Sequence, residues 1–108
     1  MQKLAHAGHF YRPEHGEPNH FEEHLRTAKL SVGTYSIPHD GVDDQVPHHE
    51  DEIYVVRSGL AQMVTPDGKV PVEVGDVLFV PAEEEHRFVD IIEDLTVLVI
   101  FVPPYSGH

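Results

Sequence analysis

The chain has 108 residues, 40% of them hydrophobic, and its 19 acidic against 7 basic side chains leave a net charge of −12. That length supports one domain with a packed core, and the charge argues against partners that are themselves polyanions, namely nucleic acid and anionic membrane surfaces. Cysteine is absent, which excludes disulfides, zinc–thiolate sites and cysteine nucleophiles.

Residues 1–27 read as an N-terminal arm. Met1 to Phe10 shows neither the basic end nor the apolar run of a signal peptide, and no stretch approaches the roughly 20 apolar residues of a membrane helix. A soluble, cytoplasmic protein is the expectation. The arm carries His6, His9, His15, His20 and His24 among Gly, Pro and Glu, with no regular spacing. It reads either as a polar, partly mobile leader or as a flap that folds over a binding site and lends it a side chain. Residues 19–29 are the one stretch that could form a helix, with Asn19 as its N-cap before His20-Phe21-Glu22-Glu23.

From residue 28 to residue 104 the chain reads as one β-domain built of six to eight short strands. Leu30 to Ile37 alternates and stops at Pro38-His39-Asp40-Gly41. Ile53-Tyr54-Val55-Val56 is β-branched and aromatic and ends at Ser58-Gly59. Leu60–Thr65 and Lys69–Val74 flank Pro66-Asp67-Gly68, a hairpin signal because Asp-Gly tolerates positive φ. Val77–Val80 stops at Pro81. Arg87–Ile92 and Leu95–Val102 follow, joined by Glu93-Asp94, and Pro103-Pro104-Tyr105 reads as a chain stop. Helical crossovers are missing, so an all-β barrel or sandwich is predicted rather than a parallel α/β sheet. The last strand is apolar on both faces, Leu95, Val97, Val99 and Phe101 on one and Leu98, Ile100 and Val102 on the other. A strand wet on its outside should alternate, so this outer face is expected to meet another sheet or a second subunit, most simply in a homodimer.

Two segments carry the chemistry. The first runs from Gly41 through Gln45, His48, His49 and Glu52 to Gly59, and the second from Gly75 through Pro81 and His86 to Asp90. Together they resemble the two motifs of the cupin superfamily, over residues 41–90. In the second, Gly75, Pro81 and His86 stand at the family's spacing, while Glu83 replaces a glycine and Asp90 an asparagine. In the first, Glu52 and Gly59 are in place, but the His-x-His segment is one residue short. Counting back from Glu52 selects His48, and counting forward from Gly41 selects His49. Adjacent strand residues face opposite ways, so His48, His49 and Gln45, in that order, are the candidates to complete the site. The resemblance implies a small double-stranded β-helix (jelly-roll) barrel holding one divalent metal ion through His48, His49, Glu52 and His86.

The residue chemistry agrees. Neutral imidazole and carboxylate suit Fe, Mn, Ni, Zn or Cu, and such a set leaves coordination positions open for a ligand. Tyr54 and Val56 share the face of Glu52, and Phe88 and Asp90 that of His86, so the wall is expected to be mostly apolar. Tyr54 and Gln45 are the candidates to orient a substrate, although Tyr54 and Phe88 fit equally as core. Glu83-Glu84-Glu85 reads as a solvated turn. The function expected is a small metal-dependent protein acting on a small organic oxyanion, of dioxygenase or isomerase type. The alternative is a non-catalytic small-molecule-binding or sensor barrel.

Overall fold

A computed structural model describes residues 1–107. Six strands follow one another: β1 (His20–Arg26), β2 (Ser31–Ile37), β3 (Asp51–Thr65), β4 (Gly68–Glu73), β5 (Val77–Val80) and β6 (Arg87–Val102). All pairings are antiparallel. The sheet order is β1-β2-β6-β3-β4, and β5 also pairs with β3. The predicted all-β class holds. No helix among the described residues is long and apolar enough to cross a membrane.

Two of the expected strand breaks are not breaks. Ser58-Gly59 lies inside the 15-residue β3, and Glu93-Asp94 inside the 16-residue β6. The two long strands pair along most of their length, with register shifts between Val56 and Gln62. Gly59 has φ 96°, and a Cβ there would come within 2.4 Å of the Asp94 carbonyl oxygen. A glycine at positive φ in a strand supports a bulge that bends the ladder without ending it. The first half of β3 therefore pairs with β5 and β6, and the second half with β4 and β6. The Pro66-Asp67 turn joins β3 to β4 as predicted, with Thr65 opposite Gly68.

The helix expected over residues 19–29 is corrected. His20–Arg26 is strand β1, hydrogen-bonded to β2. Pairing along the edge of β2 and the packing of half-buried Phe21 against the core outweigh a local cap signal, as tertiary context commonly overrides propensity. Gly33 makes this packing feasible, because a Cβ there would strike the Phe21 ring at 2.4 Å.

The core gathers the inward residues of these strands, including Tyr35, Ile37, Tyr54, Val56, Phe88, Leu95, Val97, Val99 and Phe101. β2 is also covered on its outer face. The Thr34 hydroxyl donates to the Ala7 carbonyl, and the Tyr11 N–H donates to Ser36 Oγ at 2.9 Å. Thr34, Ser36 and the neighbouring Thr96 are buried. This stretch of the arm thus lies along the back of β2. None of His6, His9, His15, His20 and His24 belongs to the cluster of ligating side chains described below.

Candidate metal centre and cavity

Glu52 enters the barrel because β3 alternates: Glu52, Tyr54 and Val56 are buried, while Ile53 and Val55 are half-buried on the outside. Its side chain is 1% exposed, with Oε1 3.2 Å from His86 Nε2 and 3.7 Å from His48 Nε2. One ligating atom from each of His48, Glu52 and His86 lies within 4.8 Å of the others, and all three residues are buried. The second carboxylate oxygen, Glu52 Oε2, is buried without a hydrogen-bond partner. Burying a carboxylate with one oxygen unsatisfied is costly, and a divalent cation between the three side chains would satisfy it. Two imidazoles and a carboxylate fit a first-row divalent ion.

His86 is oriented by its own turn. Its Nδ1 lies 2.9 Å from the Glu84 carbonyl oxygen, so Nδ1 carries the proton and Nε2 is turned towards Glu52 and towards Tyr54 Oη, 3.0 Å away. Holding one ring nitrogen on a carbonyl fixes the tautomer that a metal requires. Burial is the largest influence on the His86 pKa and lowers it, but Glu52 and the Glu84 carbonyl together outweigh it, and the net direction is upward. The Tyr54 hydroxyl is pushed well above the usual tyrosine range, first by burial and then by the Glu52 charge. It stays a neutral phenol.

His48 and His49 part company. His48 is buried beside Glu52, whereas His49 is exposed and its Nδ1 meets Glu83 Oε1 at 2.5 Å. That carboxylate raises the His49 pKa. Gln45, half-buried, joins them, its Oε1 2.8 Å from His48 Nε2 and 3.1 Å from Tyr54 Oη. The structure therefore brings together His48, Glu52, His86, Gln45 and Tyr54 and leaves His49 outside. Asp90 does not follow His86 and Phe88 inward. Its φ of 51° turns the strand, and its carboxylate meets Lys69 Nζ on the surface at 2.9 Å. The two histidine-bearing segments are joined directly, since the Glu83 N–H donates to the His48 carbonyl at 2.7 Å.

Beside the cluster lies a cavity of about 170 Å³. His48, Gln45 and Tyr54 form its metal-facing side, Phe21, Phe101 and Tyr105 its aromatic wall, and Asn19 and Asp44 its polar rim. Among the described residues no Lys or Arg lines it. Gln45 and His86 also border a larger groove of about 450 Å³ that includes Arg87.

Sequence reasoning missed two of these parts. Tyr105, read as a chain stop, is a wall of the cavity: its ring stacks on Phe101 at 4.7 Å and meets His48 edge-on at 5.4 Å. The tail is pinned by the Tyr105 N–H to Ser31 Oγ, by Arg26 to the Tyr105 carbonyl, and by Ser106 Oγ to the buried Glu50 at 2.6 Å. Asp43 is 1% exposed and sits behind Gln45. An acidic residue in an acidic run gives no sign of burial, and an aromatic after two prolines gives only a weak hint of docking.

The family model described as "Cupin domain" matches residues 33–103. An uncharacterized protein of Streptomyces coelicolor is 44% identical over 82 residues, 76% of this chain and 78% of its own. Among solved structures, an RmlC-like cupin from Desulfovibrio desulfuricans superposes with a TM-score of 0.74 at 20% identity, covering 96% of this chain and 99% of that one. KdgF from a Halomonas species gives 0.73 at 20% identity, covering 82% of each chain. The DMSP lyase DddQ from Ruegeria pomeroyi gives 0.72 at 16% identity, covering 79% of this chain and 47% of that one. At these identities the solved structures establish the double-stranded β-helix fold and nothing finer.

Proposed function

The chain belongs to the cupin family, and from that premise we propose that it holds one divalent metal ion on His48, Glu52 and His86 and presents it to a small organic oxyanion. The observation that carries this reading is the buried Glu52 carboxylate, with Oε2 unpartnered and two imidazoles facing Oε1. The bound ion would supply a Lewis acid or an oxygen-activating centre, and the reading taken here is a dioxygenase or isomerase type of chemistry.

The cavity limits the ligand. Its volume of about 170 Å³ is close to the roughly 150 Å³ cavity that accepts benzene in an engineered protein. A single ring or a short chain fits. Without Lys or Arg in the lining, the one anionic group of the ligand goes to the metal, and a second anion such as a phosphate would lie unpaired against aromatic rings. Tyr54, kept neutral, donates its hydroxyl proton to Gln45 Oε1 and borders the metal end, and Asp44 offers an acceptor at the rim.

The alternative, a binding or sensor module, is favoured by one observation. The ionisable groups next to Gln45 are committed already: Asp43 is saturated by donors, and Tyr54 is held as a phenol. Metal analysis followed by oxygen uptake with small monoanions separates the two readings. Bound iron with oxygen consumption supports the enzyme. Tight metal and ligand binding without turnover supports the module, and absence of any bound metal contradicts both.

The protein is further proposed to act in the cytoplasm as a homodimer. Phe79, Ile53 and Ile100 form one cross-strand row on the outer face of β5, β3 and β6, and Val77, Val55 and Leu98 form the next. Phe79 and Val77 are 63% and 64% exposed. Contiguous apolar patches on a sheet mark association surfaces. Ile100→Lys is expected to give a monomer in sedimentation where the wild type gives twice the 12.2 kDa chain mass. A wild type that runs as a monomer at micromolar concentration contradicts the dimer.

A further inference from the structure

Asp43 is a fully buried carboxylate with four donors aimed at it. Oδ1 accepts from the Tyr35 hydroxyl at 2.7 Å and from the Gln45 backbone N–H at 3.2 Å. Oδ2 accepts from Gln45 Nε2 at 2.6 Å and from the Phe88 backbone N–H at 2.8 Å. The donors come from β2, from β6 and from the loop between β2 and β3. The carboxylate therefore ties that loop to two strands on either side of the core. Burial, and then the charge of Asp43, raise the Tyr35 pKa, so Tyr35 remains a donor here.

One of these contacts has a directional consequence. Asp43 Oδ2 also accepts from the Phe88 N–H, and the end of the Gln45 amide that faces it is its NH₂ group. The amide oxygen is then turned the other way, to within 2.8 Å of His48 Nε2 and 3.1 Å of Tyr54 Oη. An amide oxygen can ligate a divalent cation, whereas an amide nitrogen carrying its protons cannot.

We propose that Asp43 is a positioning residue for the metal: it clamps the Gln45 amide so that Oε1 is the fourth protein ligand beside His48, Glu52 and His86. This rests on the metal reading given above. Asn at position 43 would place an NH₂ group where two donors now converge. The Gln45 amide would be free to turn its own NH₂ towards the metal, and one ligand would be lost. Asp43 acts only through Gln45, so its effect on metal should disappear once Gln45 can no longer ligate.

The test is a double-mutant cycle on Co²⁺ affinity, measured by chelator competition, with the visible spectrum of bound Co²⁺ reporting the ligand set. Partners that orient a ligand are worth about 10–100-fold in metal affinity, and Asp43→Asn should cost that much with an altered Co²⁺ spectrum. In the Gln45→Leu background the same substitution should change affinity by no more than about threefold, the non-additivity expected of residues acting as a unit. An Asp43→Asn protein with wild-type affinity and spectrum overturns the inference, and so does an equal loss in both backgrounds. Either result leaves the metal reading standing, whereas a wild type that binds no Co²⁺ removes both. If Asp43→Asn does not fold, the wild type answers instead. Its Gln45 side-chain amide should give two distinct, slowly exchanging proton signals without metal and should shift on adding Zn²⁺. A freely exchanging amide that ignores Zn²⁺ overturns the proposal.

Discussion

Two segments each deliver an imidazole to Glu52, and they are built differently. Pro81 to His86 is shaped mainly by its own backbone, with Ala82 and Glu83 also donating to Asp51 and to the His48 carbonyl. The Glu84 N–H closes a turn on the Pro81 carbonyl at 3.2 Å, Glu83 takes a φ of 70°, and His86 Nδ1 reaches back to the Glu84 carbonyl. Gly41 to Glu50 is tied internally through side chains, Asp43 to Gln45 and Gln45 to His48, and is otherwise held from outside. Pro18 and Asn19 grip Val42, Asp43 is buried against β2 and β6, and the His48 carbonyl receives the Glu83 N–H. A ligand set by its own turn keeps a fixed spacing in the chain. One set by tertiary contacts tolerates a deleted residue, which explains why the first segment can be one residue shorter than its family's pattern and still place His48.

The largest effect should come from the self-organised side. Removing a ligand should cost more than the roughly 10–100-fold of a supporting residue, so His86→Ala is expected to lose essentially all metal in elemental analysis of the purified protein. Equal metal in wild type and variant would break the assignment. Asn19→Ala is a milder change on the other side. It releases Val42 and Asp44, to which Asn19 Nδ2 donates at 2.8 Å each. Hydrogen exchange should quicken over residues 42–46 and stay unchanged over residues 82–86, since local stability follows local contacts. Equal acceleration in both segments would mean that they are not separately supported.

The smallest effect concerns His49. Its pKa is raised by the Glu83 hydrogen bond and charge, so the pair's contribution to stability is present below the ordinary histidine pKa and is lost as pH rises through the raised one. The pair is exposed, and its worth is small. In an NMR titration His49 should protonate above the usual histidine range, and Glu83→Gln should return it to normal. A His49 that already titrates normally in the wild type would remove the Glu83 contact from the account.

How much of this was legible in the sequence follows the same division. Glu52, Tyr54 and Val56 share a face because strand alternation is a local rule, and His86 follows Pro81 at a spacing that its own turn enforces. Asp43 and Tyr105 were not legible, since their partners are distant in the chain: Tyr35 and Phe88 for the one, Ser31 and Arg26 for the other. The helix read over residues 19–29 failed for a related reason. Asn19 looks like a cap, but its amide is spent on Val42 and Asp44, and Phe21 packs over Gly33. Gly59 and Asp90 mark the limit of alternation, because a positive φ at each bends the strand where a count by twos assumes it straight.

The adjacent histidines test the central claim most directly. Metal affinity should be measured by chelator competition for wild type, His48→Ala and His49→Ala, at a pH above the imidazole pKa so that neutral nitrogen is available. His48→Ala is expected to lose binding, by more than the roughly 100-fold upper range of a supporting residue, while His49→Ala binds like the wild type. A His48→Ala protein that holds the metal as tightly as the wild type, or a His49→Ala protein that loses it, would contradict the placement of the metal on His48, Glu52 and His86.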